Sequence, residues 1–264
     1  MSESRTQTRG VAGIDALRLT QLNAGAPAAT LTECLAVDFA ALMLSTLPGI
    51  GDDAVAEMGA AASAGISRRM PLAARLIAER LGPSALATLA LHPSDTVRGW
   101  ACFMIAAEKD MTLAARLAAI RPLADDGHFG VREWAWIAVR PHLASELDRA
   151  IALLVAEWTP DPSERIRRFA SEALRPRGVW CAHIAALKKE PERALAVIEP
   201  LNADPSPYVQ DSVGNWLNDA AKDRPDWVQA LCDRWSVESP VPATARICRR
   251  ALRSIPTEPR STGA

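Results

Sequence analysis

The residues of this chain best suited to chemistry are two carboxylates, Glu172 and Asp219, each set among cations. Around Glu172 lie Arg165, Arg167, Arg168, Arg175 and Arg177, five cations against Glu164 and Glu172 within fourteen residues. Asp219 closes the run Asn215-Trp216-Leu217-Asn218-Asp219, with Lys222 three positions further on. Between the two, Arg175-Pro176-Arg177-Gly178-Val179-Trp180 leaves a helix end with two arginines and a tryptophan on a stiff, irregular link. A local stripe of guanidinium groups is what phosphate contacts need, whatever the net charge of the whole. Two readings of these residues stay open: a ligand site, or a solvated helix face with local ion pairs such as Arg168–Glu172 at i, i+4 and a polar turn after Asp219.

Both carboxylates stand out because a repeat runs through the chain. The segments 92–101, 127–135, 161–170 and 204–213 align on Arg98, Arg132, Arg167 and Gln210, with a fainter fifth at Arg246. The intervals are 34, 35, 43 and 36 residues, the periods of two-helix repeats of the HEAT and armadillo kind. Four positions past each aligned aliphatic residue stand Ala101, Ala135, Ala170 and Val213, and seven past stand Met104, Ala138, Ala173 and Trp216. This spacing traces one helical stripe, and its small residues let neighbouring helices approach. Six positions past, the first two repeats carry Phe103 and Ile137, but the third carries Glu172 and the fourth Asn215. A carboxylate where sister repeats are apolar must face water, a partner or a ligand, since an unpaired buried charge is costly. Asp219 lies late in its helix, where it opposes the macrodipole by ~0.3–1 kcal/mol, so helix stability does not account for it.

Composition agrees with an all-helical chain. The 264 residues are rich in Ala and Leu, with 4 Phe, 1 Tyr and 14 Gly, and strands draw on β-branched and aromatic residues. A hydrophobic fraction of 49% fills a core and excludes disorder over most of the length. No apolar run reaches the ~18 residues of a membrane span. Five cysteines without a CxxC pair fit a reducing cytoplasm, and no Cys or His pair has the spacing of zinc ligands. No phosphate-cradling glycine loop or nucleophile triad is present, so no cofactor is expected. The expected fold is all-α, a right-handed α-solenoid of HEAT-like two-helix repeats forming a single domain. Residues 1–12 and 257–264 read as frayed tails, 13–90 as a helical cap and 91–256 as the repeats. Asp161 is expected to cap a helix at Pro162, Leu31–Thr46 to form one helix, and helices to cover 111–120, 143–157, 183–199 and 226–235. Trp100, Trp134 and Trp136 read as core, and Arg246, Arg249, Arg250 and Arg253 as a basic face on the last helix.

Three stretches taken together carry a resemblance. They are Arg168-Phe169-Ala170-Ser171-Glu172 with Arg175-Pro176-Arg177 and Trp180; Asp204-Pro205-Ser206 with Tyr208-Val209 and Leu217-Asn218-Asp219; and 94–100. The chain resembles the AlkC branch of the AlkC/AlkD superfamily, DNA alkylation repair glycosylases of bacteria built from HEAT-like repeats. Likeness at 33–39 and 65–70 extends it over most of the sequence.

The resemblance implies hydrolysis of the N-glycosidic bond of small cationic bases, of the 3-methyladenine type, in double-stranded DNA. An alkylated base already carries positive charge and leaves without a general acid. The enzyme supplies negative charge beside C1′ as oxocarbenium character develops, and a positioned water. The family's matching residues fall on Asp219, assigned water positioning and cation stabilisation, and on Glu172, assigned a supporting electrostatic role. Arg168, Arg175, Arg177 and Lys222 would bind the DNA around the lesion, and Trp180 would press its ring on the deoxyribose or the lesion. The family pattern is broken at 134–141, which lacks an acidic residue, and at Gln210-Asp211, which removes positive charge from a position expected to face phosphate. The protein implied is a bacterial, cytoplasmic monomer without metal that joins the nucleoid when bound to DNA. The alternative is a non-catalytic HEAT-like DNA-binding or scaffold protein that kept the fold and lost the chemistry.

Overall fold

The computed structural model describes residues 10–255, so most of both expected tails lies outside the described residues. All regular elements among these residues are helical, and none is long and apolar enough to cross a membrane. The chain falls into two compact units, residues 1–139 and 140–264.

In the first unit, after a single 3-10 turn at Val11–Gly13, come α1 (Ala16–Asn23), α2 (Leu31–Ala36), α3 (Phe39–Thr46), α4 (Asp52–Ala60), α5 (Ile66–Leu81), α6 (Ala85–Ala90), α7 (Asp95–Ala107), α8 (Leu113–Ala124) and α9 (Phe129–Ser145), the last running past the division. The expected helix over Leu31–Thr46 is two. Val37 is extended, and the Asp38 carboxylate caps α3 by accepting from Ala40 N and Ala41 N, which satisfies donors that continuing the helix would leave to α2. Trp100 of α7 is fully buried and edge-on to Phe39, 5.7 Å between centroids. Trp134 and Trp136 are buried too, as expected of core. Gly99 is required by packing: a Cβ there would come within 2.5 Å of Met70 Cε and 2.7 Å of the Trp134 ring.

The second unit holds α10 (Leu147–Glu157), α11 (Glu164–Ala173), α12 (Ala185–Lys189), α13 (Leu195–Ile198), α14 (Pro207–Ala221), α15 (Pro225–Glu238) and α16 (Pro242–Leu252). The helix expected at 183–199 is broken into short pieces by 3-10 turns at Pro191–Ala194 and Glu199–Leu201. Pro191 lacks the N–H that a continuing helix needs, and Glu190 before it has left the helical region (φ −130°, ψ 69°). Helix α14 is central, packed by α11, α15 and α16. Its buried polar side chains all have partners: Gln210 on Asp204 O, Ser212 on Glu172, Asn218 on Ala251 O and Asp219 on Arg175. A nearly enclosed helix can carry polar groups only on that condition.

The repeat has a local cause. Each of the first four aligned side chains reaches back to the loop before its own helix. Arg98 Nη1 donates to His92 O and Pro93 O (2.6 and 2.8 Å), Arg132 Nη1 to Asp126 O and Gly127 O (2.8 and 3.0 Å), and Arg167 Nη1 to Asp161 O and Pro162 O (both 2.9 Å). Gln210 does the same to Asp204 O at 2.7 Å. It is buried and faces no phosphate, contrary to the expectation for that position. Arg98 and Arg167 also pair with the aspartate that opens the next repeat, Asp126 and Asp204. Arg246 lacks this role and pairs at the surface with Asp211. The cap of α11 is Ser163, whose hydroxyl accepts from Arg165 N; Asp161, two residues before that cap, instead accepts from Ser163 N. Asp126 and Asp204 make the same turn with His128 N and Ser206 N. The stripe of Ala101, Ala135, Ala170 and Val213 is buried throughout.

Candidate functional site

The third repeat's helix α11 ends at Ala173, and Glu172 therefore sits in its last turn; Asp219 stands two residues before the end of α14. The segment 174–184 leaves α11 carrying Arg175, Arg177 and Trp180 past the end of α14. What joins the two carboxylates is Arg175. Its Nη1 donates to Glu172 Oε1 at 2.8 Å, and its Nε and Nη2 both lie 2.8 Å from Asp219 Oδ2. One planar guanidinium thus serves acids from two successive repeats, the geometry its forked donors favour.

The remaining acceptor capacity of Glu172 is also filled. Ser212 of α14 donates its hydroxyl to Oε2 at 2.6 Å, with Ser171 Oγ 2.7 Å from Ser212 Oγ. Arg168 stands 3.6 Å from Oε2, its guanidinium 4.4 Å over the Tyr208 ring. Burial pushes the Glu172 carboxyl up, but the Arg168 and Arg175 charges and the Ser212 hydroxyl outweigh it and hold it below the usual carboxylate range. Burial opposes charge on Arg175, and Glu172 and Asp219 overcome it, so its guanidinium is held charged. The second oxygen of Asp219 is differently placed: Oδ1 faces the Lys222 ammonium at 3.5 Å, and Lys222 is half exposed.

The expectation that Glu172 faces water, a partner or a ligand is replaced by an inward orientation. Glu172 and Asp219 are 3% and 4% exposed. Cations within hydrogen-bonding reach make such burial tolerable. For the same reason Arg168 and Arg175 point at carboxylates and not outward at phosphate. Arg177 is set apart from the pair, its guanidinium gripping both oxygens of Asp223 (2.9 Å each from Nη2). Trp180 lies on the exposed tip of the segment beside Val179. Its φ of 62° puts a bulky residue in the left-handed region, a conformation that costs ~1–3 kcal/mol and persists only where its surroundings impose it.

That imposition comes from a residue the sequence reading left out. Arg140 is 2% exposed and donates to the last carbonyl of α11, Ala173 O (2.7 Å), and to two carbonyls of this segment, Arg175 O (2.5 Å) and Ala182 O (3.1 Å). Trp216 Nε1 holds a fourth, Leu174 O, at 2.9 Å. A Cβ on Gly178 would fall 2.1 Å from Cys181 Sγ and 3.3 Å from Arg140 Cζ, so the turn closes only with glycine there. Arg140 follows an apolar stretch on α9, but it lies eight positions past Arg132 as Arg175 lies eight past Arg167, a repeat match that could have found it. Ser212 has no sequence signal, and Tyr208 has one only as part of the resemblance. Among the described residues no three His, Cys, Asp or Glu side chains are placed to hold a metal ion.

The chain is similar to the Pseudomonas fluorescens alkylpurine DNA glycosylase AlkC, in a structure bound to DNA containing an abasic site analog, with a TM-score of 0.63 and 24% identity over 94% of this chain and 65% of that one. It is also similar to smu.31 of Streptococcus mutans UA159, TM-score 0.54 and 22% identity, covering 77% of this chain and 92% of that one. At these identities the likeness is one of fold, the all-α HEAT-like repeat class expected from the periodicity. The uncharacterized protein YhaZ of Bacillus subtilis (strain 168) is 40% identical over 118 residues, 45% of this chain. The chain spans about a third of YhaZ (32%) and about two thirds of the AlkC chain (65%). The family model described as DNA alkylation repair enzyme matches residues 98–254, more than half of the sequence and all of the site built above. The chain belongs to the DNA alkylation repair enzyme family.

Proposed function

We propose that this protein is a DNA glycosylase that hydrolyses the N-glycosidic bond of small cationic alkylated bases, of the 3-methyladenine type, in duplex DNA. The observation that carries this reading is the bridge by which Arg175 holds Glu172 and Asp219 together from two repeats. It keeps two negative charges at one place, and the segment that follows α11 carries Trp180 on a strained backbone.

In this mechanism the C1′–N bond breaks with its electron pair passing to the base, whose positive charge that pair neutralises. Positive charge develops on the sugar, and fixed carboxylates stabilise it without reorganising. Asp219 is the residue that meets the sugar. Its Oδ2 is anchored by Arg175, while Oδ1 is left with Lys222 at 3.5 Å, room for a water that a shift of the half-exposed lysine would open. That water adds its oxygen to C1′ and gives its proton to Asp219 Oδ1 or to solvent. Glu172 acts through Arg175, fixing the arginine so that it cannot swing away from Asp219. Trp180 packs against the deoxyribose, and Arg177 and Lys222, both solvent-accessible, contact phosphates. The protein works as a cytoplasmic monomer at the nucleoid and needs no metal or cofactor.

The near-complete burial of both carboxylates favours the second reading, a DNA-binding member that has lost the chemistry. Duplex DNA methylated at N3 of adenine separates them: free 3-methyladenine is released by a glycosylase and not by a binder. Asp219→Asn lowers release by about 10²–10³-fold, the loss typical of one electrostatic stabiliser, with DNA affinity retained. Release at the wild-type rate from Asp219→Asn removes the assigned role.

A further inference from the structure

Asn215 occupies in the fourth repeat the position that Glu172 holds in the third, and the site described above does not use it. Its side chain is nonetheless engaged. Arg250 Nε and Arg253 Nη2, both from the last helix and its end, donate to the same Asn215 Oδ1 at 2.9 and 3.1 Å. Two like charges therefore meet on one neutral oxygen, which does not by itself offset their repulsion, an arrangement that favours an anion between them. Gly214 makes the seat: a Cβ there would lie 2.9–3.1 Å from Cβ, Cδ and Cγ of Arg250, so only glycine lets that side chain cross α14.

The seat opens onto a hollow of about 610 Å³ lined by Asp211, Pro242, Arg246, Arg249, Arg250 and Arg253. Four guanidinium groups line it with one carboxylate, and Asp211 is already held by Arg246 at 2.8 Å and approached by Arg250 at 3.4 Å. Asn215 and Asp219 are one turn apart on α14, on one face. The hollow thus borders the carboxylate site. Consistently, burial and then the Arg250 charge push the Arg253 guanidinium down, while Asp219 raises it.

We propose that Arg250 and Arg253, seated by Asn215 and Gly214, clamp a backbone phosphate of duplex DNA on the strand whose sugar lies at Asp219. This rests on the reading that duplex DNA is the substrate, and not on the hydrolysis. Planar forked donors suit a phosphate's paired oxygens, and a phosphate fixed a short distance from the reacting sugar sets its register.

The test reads binding and not excision, so it stands apart from catalysis. A fluorescent duplex carrying a tetrahydrofuran abasic site is titrated with protein over a range of salt. Arg250→Ala and Arg253→Ala are each expected to weaken binding about tenfold and to reduce the magnitude of the salt slope by about 1, the signature of a lost phosphate contact. Asn215→Ala keeps every cation and is expected to weaken binding as well, which a diffuse basic surface does not predict. Lys189→Ala, at a side chain 82% exposed, is expected to bind as wild type. Replacing single phosphates near the abasic site by neutral methylphosphonates is expected to find one position that weakens the wild type and leaves the Arg250→Ala/Arg253→Ala variant unchanged. Because Arg253 is exposed, its variant folds and remains informative should Asn215→Ala melt early. Wild-type affinity and slope in Arg250→Ala and Arg253→Ala overturn the clamp. A wild type that does not bind the duplex overturns both the clamp and the substrate reading beneath it.

Discussion

Arg175 grips one oxygen of Asp219 with two donors, Nε and Nη2 each 2.8 Å from Oδ2, while its third reaches Glu172. Removing this guanidinium leaves two buried carboxylates without their shared cation. Arg175→Met is therefore expected to destabilise the protein by about 3–5 kcal/mol. Adding Glu172→Gln to it is expected to recover part of the loss, because one of the stranded charges is gone. Urea unfolding of the two single variants and the double variant measures this, and strictly additive losses would sink the idea that the three groups act as one network.

The same network orders the two acids in the proposed chemistry. Asp219→Asn acts on the sugar directly, whereas Glu172→Gln only loosens the arginine that holds Asp219. Single-turnover release of 3-methyladenine is expected to fall further in Asp219→Asn, by about 10²–10³-fold, than in Glu172→Gln. The reverse order would transfer the direct role to Glu172.

Arg140 has no contact with a reacting atom in this scheme and acts by holding backbone. Arg140→Met strips the donor from Ala173 O, Arg175 O and Ala182 O, where each carbonyl left buried without a partner costs about 1–3 kcal/mol. Amide hydrogen exchange across 175–184 is expected to rise steeply, with exchange in α7 unchanged. Unaltered protection in that segment would show that Trp216 and Gly178 suffice to hold it.

The repeat ladder separates buried from exposed pairs. Arg167, paired with the nearly enclosed Asp204 and closing its own loop, is expected to cost about 3 kcal/mol as Arg167→Ala. Arg193, whose partner Asp148 is 83% exposed, is expected to leave stability close to that of wild type as Arg193→Ala. Thermal melts of both variants decide; equal shifts would contradict the structural reading of the aligned arginine.

In the first unit the Arg18–Glu33 pair ties stability to acid pH. Hydrogen bonds from Arg18 (Nε 3.0 Å, Nη2 2.6 Å) and then from Ala29 N (2.7 Å) hold the Glu33 carboxyl at about 2, below its ordinary 4.5. A depressed folded pKa stabilises above the unfolded value and loses that stabilisation as pH falls toward the folded one. The contribution is therefore complete above about pH 4.5 and disappears as pH falls to about 2. Chemical unfolding midpoints of Glu33→Gln are expected to fall short of wild type at pH 6 and to converge with it toward pH 2. A gap that widens on acidification would refute the assignment.

What was legible in the sequence shares one property: it acts over a few residues. The helix class follows from composition and from the stripe of Ala101, Ala135, Ala170 and Val213. The repeat is legible because Arg98, Arg132 and Arg167 each bond carbonyls only five and six positions back, so the same local chemistry recurs in the same words. Glu172 and Asp219 were visible as departures from that pattern. Where local signals compete, the reading slipped by a few residues, as at Asp161 against Ser163 and at the break before Asp38. Tertiary structure alone decided that both acids turn inward to one arginine, that Ser212 completes Glu172, that Arg140 ties three carbonyls at the end of α11 and along the Trp180 segment, and that Arg250 and Arg253 share Asn215. Apart from Arg175–Glu172, these contacts span roughly 30 to 45 positions, across a repeat interval that stretches to 43 between Arg167 and Gln210. Such contacts depend on the rotation of each helix about its axis and on which charges burial forces together, quantities that spacing along the chain does not encode.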